Sequence, residues 1–218
     1  MSYPIDHFVW ATPDLQQGCA TIEELFGTTP LLGGAHPGLG TCNALLSLGQ
    51  DLYLEIMAPD APPVGSVGER LANLDAPGLA TWVIRSSNLS TLAAAAQNPG
   101  IEATPLGPVH TKRLTPQGDQ LSWELLFLTQ HRYGGLVPFA VDWQETTHPS
   151  TTSTIGGRLV EFEIRSVIAA PLNEMHTGLG IEQWAKASDE AALSAQFQTP
   201  NGLVTLQSTS QTLAVLDI

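Results

Sequence analysis

The stretch Ile5-Asp-His-Phe-Val-Trp-Ala11, followed by Thr12-Pro13-Asp14, decides the fold that the sequence predicts. Its alternating pattern is typical of a β-strand. Asp14 is a residue type that begins helices. The apolar residues after it recur at helical spacing, namely Leu15, Cys19, Ile22, Leu25 and Phe26. Since Gly27 is typical of a helix end, we predict a strand followed directly by an amphipathic helix.

Three further strand candidates follow this helix. Residues 28–32 can form a short strand, and the apolar runs Asn43 to Leu48 and Leu52 to Met57 flank the turn Gly49-Gln50-Asp51. Two apolar runs around such turn residues indicate a β-hairpin. Residues 1–58 are therefore predicted to form one βαβββ module.

The same order of elements recurs later in the chain. From Leu79 onward the signals for a strand, an Ala-rich helix and a hairpin repeat, and a weaker third copy contains the turn Pro200-Asn201-Gly202. A Pro- and Gly-rich stretch and a Thr/Ser-rich linker separate the copies. We predict a first module over residues 1–58, an insert over 59–78, a second module over 79–145, a linker over 146–156 and a third, partial module over 157–218.

The charge of the chain narrows the range of partners. The 218 residues include 21 Asp and Glu against 8 Lys and Arg, a formal net charge of −13. This balance argues against binding to nucleic acid or to an anionic membrane surface, because both need clustered basic residues. The sequence opens with no basic and apolar leader and contains no apolar run of transmembrane length, so we expect a cytoplasmic protein.

Several motifs resemble those of a known family. They are Asp6-His7-Phe-Val-Trp-Ala-Thr-Pro-Asp14-Leu15, His36-Pro37-Gly38-Leu39-Gly40, Tyr53-Leu-Glu55, Gln120-Leu-Ser-Trp123-Glu124 and Pro138-Phe-Ala-Val-Asp142-Trp143 with His148-Pro149. In order and spacing they resemble the glyoxalase-like branch of the vicinal oxygen chelate superfamily. The resemblance covers roughly residues 4–150, and the third module looks like an appended partial copy.

This resemblance implies an α+β fold in which repeated βαβββ modules form a curved mixed sheet, the cup of the superfamily. Two modules complete one cup, and a divalent metal often lies at its floor. Enzymes of the superfamily use the metal to stabilise an enolate or a similar oxyanion, whereas other members only bind small molecules. We expect the third module to cover an exposed sheet edge or to pair across a homodimer.

The resemblance also implies a metal site with one ligand from the first strand and one from the last strand of each paired module. His7 and Glu55 occupy these positions in the first module, and Glu124 matches Glu55 in the second. Thr81 stands where the second histidine is expected and cannot replace an imidazole ligand. His7, Glu55 and Glu124 remain as a set for Mn²⁺, Fe²⁺ or Zn²⁺, with Glu55 or Glu124 alternatively acting as a catalytic base.

Each of these residues also has an ordinary structural interpretation. A histidine on a strand is often a hydrogen-bonded core residue, and strand alternation can point either glutamate to solvent. The candidate substrate-binding residues are His36, Arg113, Trp10 and Trp123. The structural alternative is a plain turn for His36, a solvated strand face for Arg113, and aromatic packing for Trp10 and Trp123.

Two functions therefore stay open. The first is a metal-dependent lyase, isomerase or dioxygenase that acts on a small carbonyl or oxygen-rich compound. The second is a metal-free protein that binds or sequesters an apolar small molecule in the cup. The threonine at position 81 and the apolar surroundings of the tryptophans favour the second.

Overall fold

The computed structural model describes residues 3–36, 39–49, 51–114 and 120–217, without the side chains of residues 113, 114 and 120. The first βαβββ unit consists of strand β1 (Ile5–Ala11), helix α1 (Leu15–Phe26) and strands β2 (Leu31–His36), β3 (Thr41–Ser47) and β4 (Tyr53–Pro59). Helix α1 begins and ends at the predicted residues. The Asp14 side chain accepts a hydrogen bond from the backbone N–H of Gln17 at 2.7 Å, and Gly27 ends the helix in the left-handed conformation at φ 71°.

The second unit follows helix α2 (Gly65–Ala72) of the insert. It consists of strand β5 (Gly78–Arg85), helix α3 (Leu89–Ala96) and strands β6 (Thr104–Leu114), β7 (Gln120–Thr129) and β8 (Phe139–Asp142). Strand β8 pairs in parallel with β5, so β8 and not β7 is the last strand of this unit. The sequence analysis placed residues 138–143 among the family motifs but gave them no strand, because a four-residue strand carries little alternation.

The third unit forms a sheet of its own. It consists of strand β9 (Arg158–Ser166), helix α4 (Ala169–Leu179) and strands β10 (Ala185–Ala187), β11 (Ala192–Thr199) and β12 (Gly202–Gln207), and helix α5 (Ser210–Leu213) follows. In the described part of the chain, its four strands have the order β10-β9-β11-β12.

Eight strands of the described residues form the main sheet, in the order β2-β3-β4-β1-β5-β8-β7-β6. Strands β1 and β5 run antiparallel at its centre, and each is flanked by the last strand of its own unit in parallel. The two units thus extend outward from the centre in the same strand order. The sheet is strongly curled into a half-barrel, which confirms the predicted α+β fold with a curved mixed sheet. The curl brings the His36 ring on β2 to 6.5 Å from the Trp123 ring on β7.

The convex face of the main sheet carries the larger apolar core. Phe8 and Trp82 are fully buried there, against the second sheet. The Phe8 ring lies 4.9 Å from Phe162 on β9 and 5.9 Å from Phe197 on β11, and Trp82 lies 5.4 Å from Phe162. The prediction that the third module covers an edge is therefore wrong, since in the described residues it covers a face. A face presents far more apolar surface than an edge strand does.

Helix α2 of the insert contacts the last described residues of the chain. The Arg70 guanidinium of α2 donates hydrogen bonds to the backbone carbonyls of Val215 and Asp217, both at 2.8 Å.

No helix in the described ranges is long and apolar enough to cross a bilayer. The homodimer and the cytoplasmic location stay predictions.

Candidate functional site

A cavity of about 330 Å³ lies on the concave face of the main sheet. Strand alternation decides which side chains reach it, because successive residues of a strand point to opposite faces. On β4, Tyr53, Glu55 and Met57 line the cavity, whereas Leu54 and Ile56 lie in the core on the convex side. The apolar and aromatic lining residues are Leu39, Leu45, Tyr53, Met57, Val109, Trp123, Leu125, Phe127, Phe139, Val141, Trp143, Pro149 and Leu216.

His7 and Glu55 form the charged centre of this lining. The His7 Nε2 atom lies 3.5 Å from Glu55 Oε2, and Glu55 Oε1 accepts a hydrogen bond from the Asn43 side-chain amide at 2.7 Å. His7 is 3% exposed and Glu55 6% exposed. The His7 ring also stacks on Tyr53, with the ring centroids 4.4 Å apart. The structure therefore brings together two of the three predicted metal ligands on neighbouring strands.

Asp6 holds the other side of the imidazole, and the sequence analysis gave it no role. Its Oδ1 atom accepts a hydrogen bond from His7 Nδ1 at 2.7 Å, and its Oδ2 atom accepts from Trp143 Nε1 and His148 Nε2, both at 3.0 Å. The Arg85 guanidinium lies 3.9 Å from the same oxygen. Asp6 is fully buried. The sequence does contain a signal for this role. Asp6 lies within an apolar strand next to a histidine, and a buried carboxylate needs hydrogen-bond or charge partners.

These contacts fix the charge state of the cluster. Burial alone raises the pKa of Glu55, but the hydrogen bond and charge of His7, with smaller effects of His36 and Asn43, lower it to about 2. Burial likewise opposes ionisation of Asp6, but the bonds to His148 and His7 hold its pKa well below the usual range. For His7, burial lowers the pKa, but Asp6 and Glu55 outweigh burial and raise it above the ordinary value. Each of these shifts favours the charged form, that is, two carboxylates around one imidazolium.

This charge state predicts that the fold loses stability at alkaline pH. Because the pKa of His7 is raised on folding, its protonation contributes stability fully below the unfolded pKa of about 6.5, and the contribution is lost as the pH rises through the folded pKa. NMR titration of His7 is expected to give a pKa above about 6.5. The free energy of unfolding in urea is expected to be lower at about pH 9 than at about pH 6. The same dependence in a His7→Gln variant would contradict the assignment to His7.

Glu124 does not join His7 and Glu55, which corrects the predicted metal set. It lies on β7 between Trp123 and Leu125, both of which line the cavity, and it is half-buried outside the described lining. Its neighbours in the sheet are His110 on β6 and Asp142 on β8. Alternation explains the placement, because a residue between two inward-pointing ones faces the other way.

The second unit carries a phenylalanine where the first carries Glu55. On the first strands, Val9 and Val83 each precede the N-cap residue of the following helix by five positions, 14 − 9 and 88 − 83. Val9 pairs with Glu55 on β4, and Val83 pairs with Phe139 on β8. Glu124 corresponds to Glu55 only if β7 is the last strand of the second unit, and β8 holds that place. Phe139 instead packs against His7, with the ring centroids 6.0 Å apart.

The donor set therefore does not fit a divalent metal in the way the resemblance implied. Thr81 and Phe139 stand at the positions that would complete the site with His7 and Glu55. Both ring nitrogens of His7 face carboxylates, which favours the imidazolium form, and that form has no lone pair for a metal. No group of three His, Cys, Asp or Glu side chains suited to a metal occurs among the described residues.

The four predicted substrate-binding residues have different places. Trp123 is buried and lines the cavity, and His36 lines it on β2 with its Nδ1 atom 3.2 Å from Thr41 Oγ1. Trp10 is wrong as a cavity residue: it is 4% exposed within the core on the convex face, because it alternates with Val9 along β1. The side chain of Arg113 lies outside the described residues.

Comparisons with known proteins agree with this fold. The model of the glyoxalase-like domain family matches residues 5–179. A hypothetical protein from Staphylococcus aureus is similar at 14% identity and a TM-score of 0.65, over 95% of this chain and 85% of that chain. A methylmalonyl-CoA epimerase solved with methylmalonyl-CoA and NH4+ is similar at 19% identity and a TM-score of 0.50, over 67% of this chain and 99% of that chain.

At these identities the two structures show a shared fold and nothing about activity. No curated protein matches the sequence. The family match spans both units of the main sheet and reaches helix α4, so it covers every strand that lines the cavity. The chain therefore belongs to the glyoxalase-like domain family.

Proposed function

We propose that this protein binds an apolar, largely aromatic small molecule in the cavity of its main sheet, without help from a divalent metal. The observation that carries the proposal is the lining. Aromatic side chains from β4, β7 and β8 surround one buried polar cluster, and two of the four metal positions hold Thr81 and Phe139. Ligand sites of this kind are mostly apolar with a few fixed polar groups. The cavity volume of about 330 Å³ suits a compound of one or two rings.

The metal-dependent enzyme is less well supported by the same residues. A base that removes a proton from carbon works best with a pKa near the working pH. The pKa of Glu55 is about 2, which makes its carboxylate a weak base. Asp6 and Glu55 raise the pKa of His7 and so favour its imidazolium form, which cannot accept a proton. Held in this way, the cluster suits recognition of a polar group better than proton transfer.

Binding of the neutral probe 2-naphthalenemethanol tests the proposal. Isothermal titration calorimetry and ligand-observed NMR are expected to detect the probe with the wild-type protein. Leu45 is 5% exposed and lines the cavity, so Leu45→Trp fills part of the volume. We expect this variant to bind the probe at least about tenfold more weakly, a loss of about 1.4 kcal/mol.

Two controls make the result specific. Leu32 on β2 is 63% exposed and outside the described lining, so Leu32→Trp is expected to bind like the wild type. Adding a metal chelator is expected to leave binding unchanged. Equal binding by Leu45→Trp and the wild type would refute the proposed site, and loss of binding with the chelator would restore the metal-dependent alternative.

A further inference from the structure

One carboxylate, Glu55, faces the cavity among its described lining residues, and its hydrogen-bonding capacity is only partly used. The Oε1 atom accepts from Asn43 at 2.7 Å, while the Oε2 atom lies 3.5 Å from His7 Nε2. That second distance is longer than a charge-assisted hydrogen bond of about 2.7–2.9 Å. A carboxylate has about four acceptor positions. Glu55 is 6% exposed, so donors for the remaining positions must come from within the cavity.

The negative charge of Glu55 is also less compensated than that of Asp6. Asp6 receives His7 at 2.7 Å together with donors from Trp143 and His148, and Arg85 lies nearby. Glu55 shares the same imidazolium at the longer distance of 3.5 Å. Since the positive charge lies closer to Asp6, the surplus negative charge of the cluster is on its cavity side. A cation in the cavity would face this surplus.

The walls around Glu55 favour a cation for a separate reason. Tyr53, Trp123 and Trp143 line the cavity, as do two phenylalanines, Phe127 and Phe139. The faces of aromatic rings attract cations, by about 0.5–1 kcal/mol at exposed sites and by about 2 when the site is desolvated. The same rings stack on an aromatic ligand body. An aromatic amine therefore matches both the carboxylate and the walls.

The long-range charge of the protein acts in the same direction. The formal net charge is −13, which attracts cations to the protein and repels anions. Lys112 also borders the cavity, but it is exposed on β6, where solvent and salt screen its charge. His36 and His110 line the cavity too, and the charge of His36 lowers the pKa of Glu55, but less than His7 does. The net preference of the site is thus for positive ligands.

We propose that the cavity selects aromatic amines, with the ring between the aromatic walls and the ammonium N–H groups donating to Glu55. This inference rests on the proposed binding function and adds the chemical class of the ligand. It assigns Glu55 the role of a selectivity residue that recognises charge.

Three probes that share one ring system test the inference. They are 2-naphthalenemethylamine, which is cationic at neutral pH, the neutral 2-naphthalenemethanol, and the anionic 2-naphthoate. The wild type is expected to bind the amine at least about tenfold more tightly than the alcohol, and naphthoate most weakly. In Glu55→Gln the affinity for the amine is expected to fall at least about tenfold, and the affinity for the alcohol to change less than about threefold.

Glu124→Gln is the matched control, because Glu124 is a half-buried strand carboxylate outside the described lining. It is expected to keep the wild-type preference for the amine. If the wild type binds the alcohol as tightly as the amine, the charge selectivity is refuted while the binding function stands. If none of the probes binds, both proposals fail. Should Glu55→Gln not fold, the ranking of the three probes by the wild type still decides.

Discussion

Replacing Asp6 with alanine is expected to lower the free energy of unfolding by about 3–5 kcal/mol. Asp6 is fully buried and accepts hydrogen bonds from His7, Trp143 and His148. Without it, those three donors lose their partner and a buried imidazolium keeps only Glu55 as its counter-charge. Breaking a buried ion pair from one side is costly because the remaining charge stays out of water. Guanidinium unfolding followed by circular dichroism measures the loss.

Asp51→Asn provides the matched control for Asp6→Ala. Asp51 pairs with the same arginine, its carboxylate 3.6 Å from an Arg85 guanidinium nitrogen, but its side chain is 59% exposed. Asparagine also tolerates the positive φ of 59° at this position. Exposed ion pairs contribute about 0–1 kcal/mol, so this change is expected to stay within that range. A loss below about 1 kcal/mol for Asp6→Ala would show that the cluster does not hold the fold together.

Replacing Phe197 with alanine is expected to cost about 3–5 kcal/mol in the free energy of unfolding. Phe197 is fully buried between the two sheets, with its ring 5.9 Å from Phe8 and 5.5 Å from Phe26. Alanine would leave a void there, and the lost contacts belong to both sheets. We therefore expect one unfolding transition, whose midpoint moves as a whole in the variant.

Leu203→Ala is the control on the neighbouring strand. Leu203 lies on β12 and is 59% exposed, so its removal is expected to change stability by no more than about 0.5 kcal/mol. Two separate transitions in the wild type, of which Phe197→Ala shifts only the later one, would contradict a shared core. In that case the second sheet would fold independently of the main sheet.

The elements of the first unit were predictable because their signals are local. Asp14 and Gly27 mark the ends of α1 through contacts within one helical turn. The hairpin of β3 and β4 follows from two apolar runs and the turn between them. His7 and Glu55 were also identified correctly as neighbours, since first and last strands of a βαβββ unit pair in parallel.

The errors arose where the answer depended on distant parts of the chain. Glu124 looked equivalent to Glu55 because the segment Leu121-Ser-Trp-Glu124-Leu aligns with Leu52-Tyr-Leu-Glu55-Ile. The pairing of β8 with β5 gives that place to Phe139. Trp10 was predicted to line the cup, but the core that packs against β1 holds its side chain on the convex face of the sheet. Asp6 was missed because its partners Trp143 and His148 lie 137 and 142 positions away.

The sequence by itself determined most of the strands and helices and the duplicated βαβββ order, because hydrophobic alternation, helix caps and turns act over a few residues. Only the tertiary structure decided which strand ends each unit, which face the third unit covers and which polar groups meet in the cavity. Those choices depend on hydrogen bonds and packing between strands far apart along the chain. No local pattern encodes the identity of a residue's partner across the sheet.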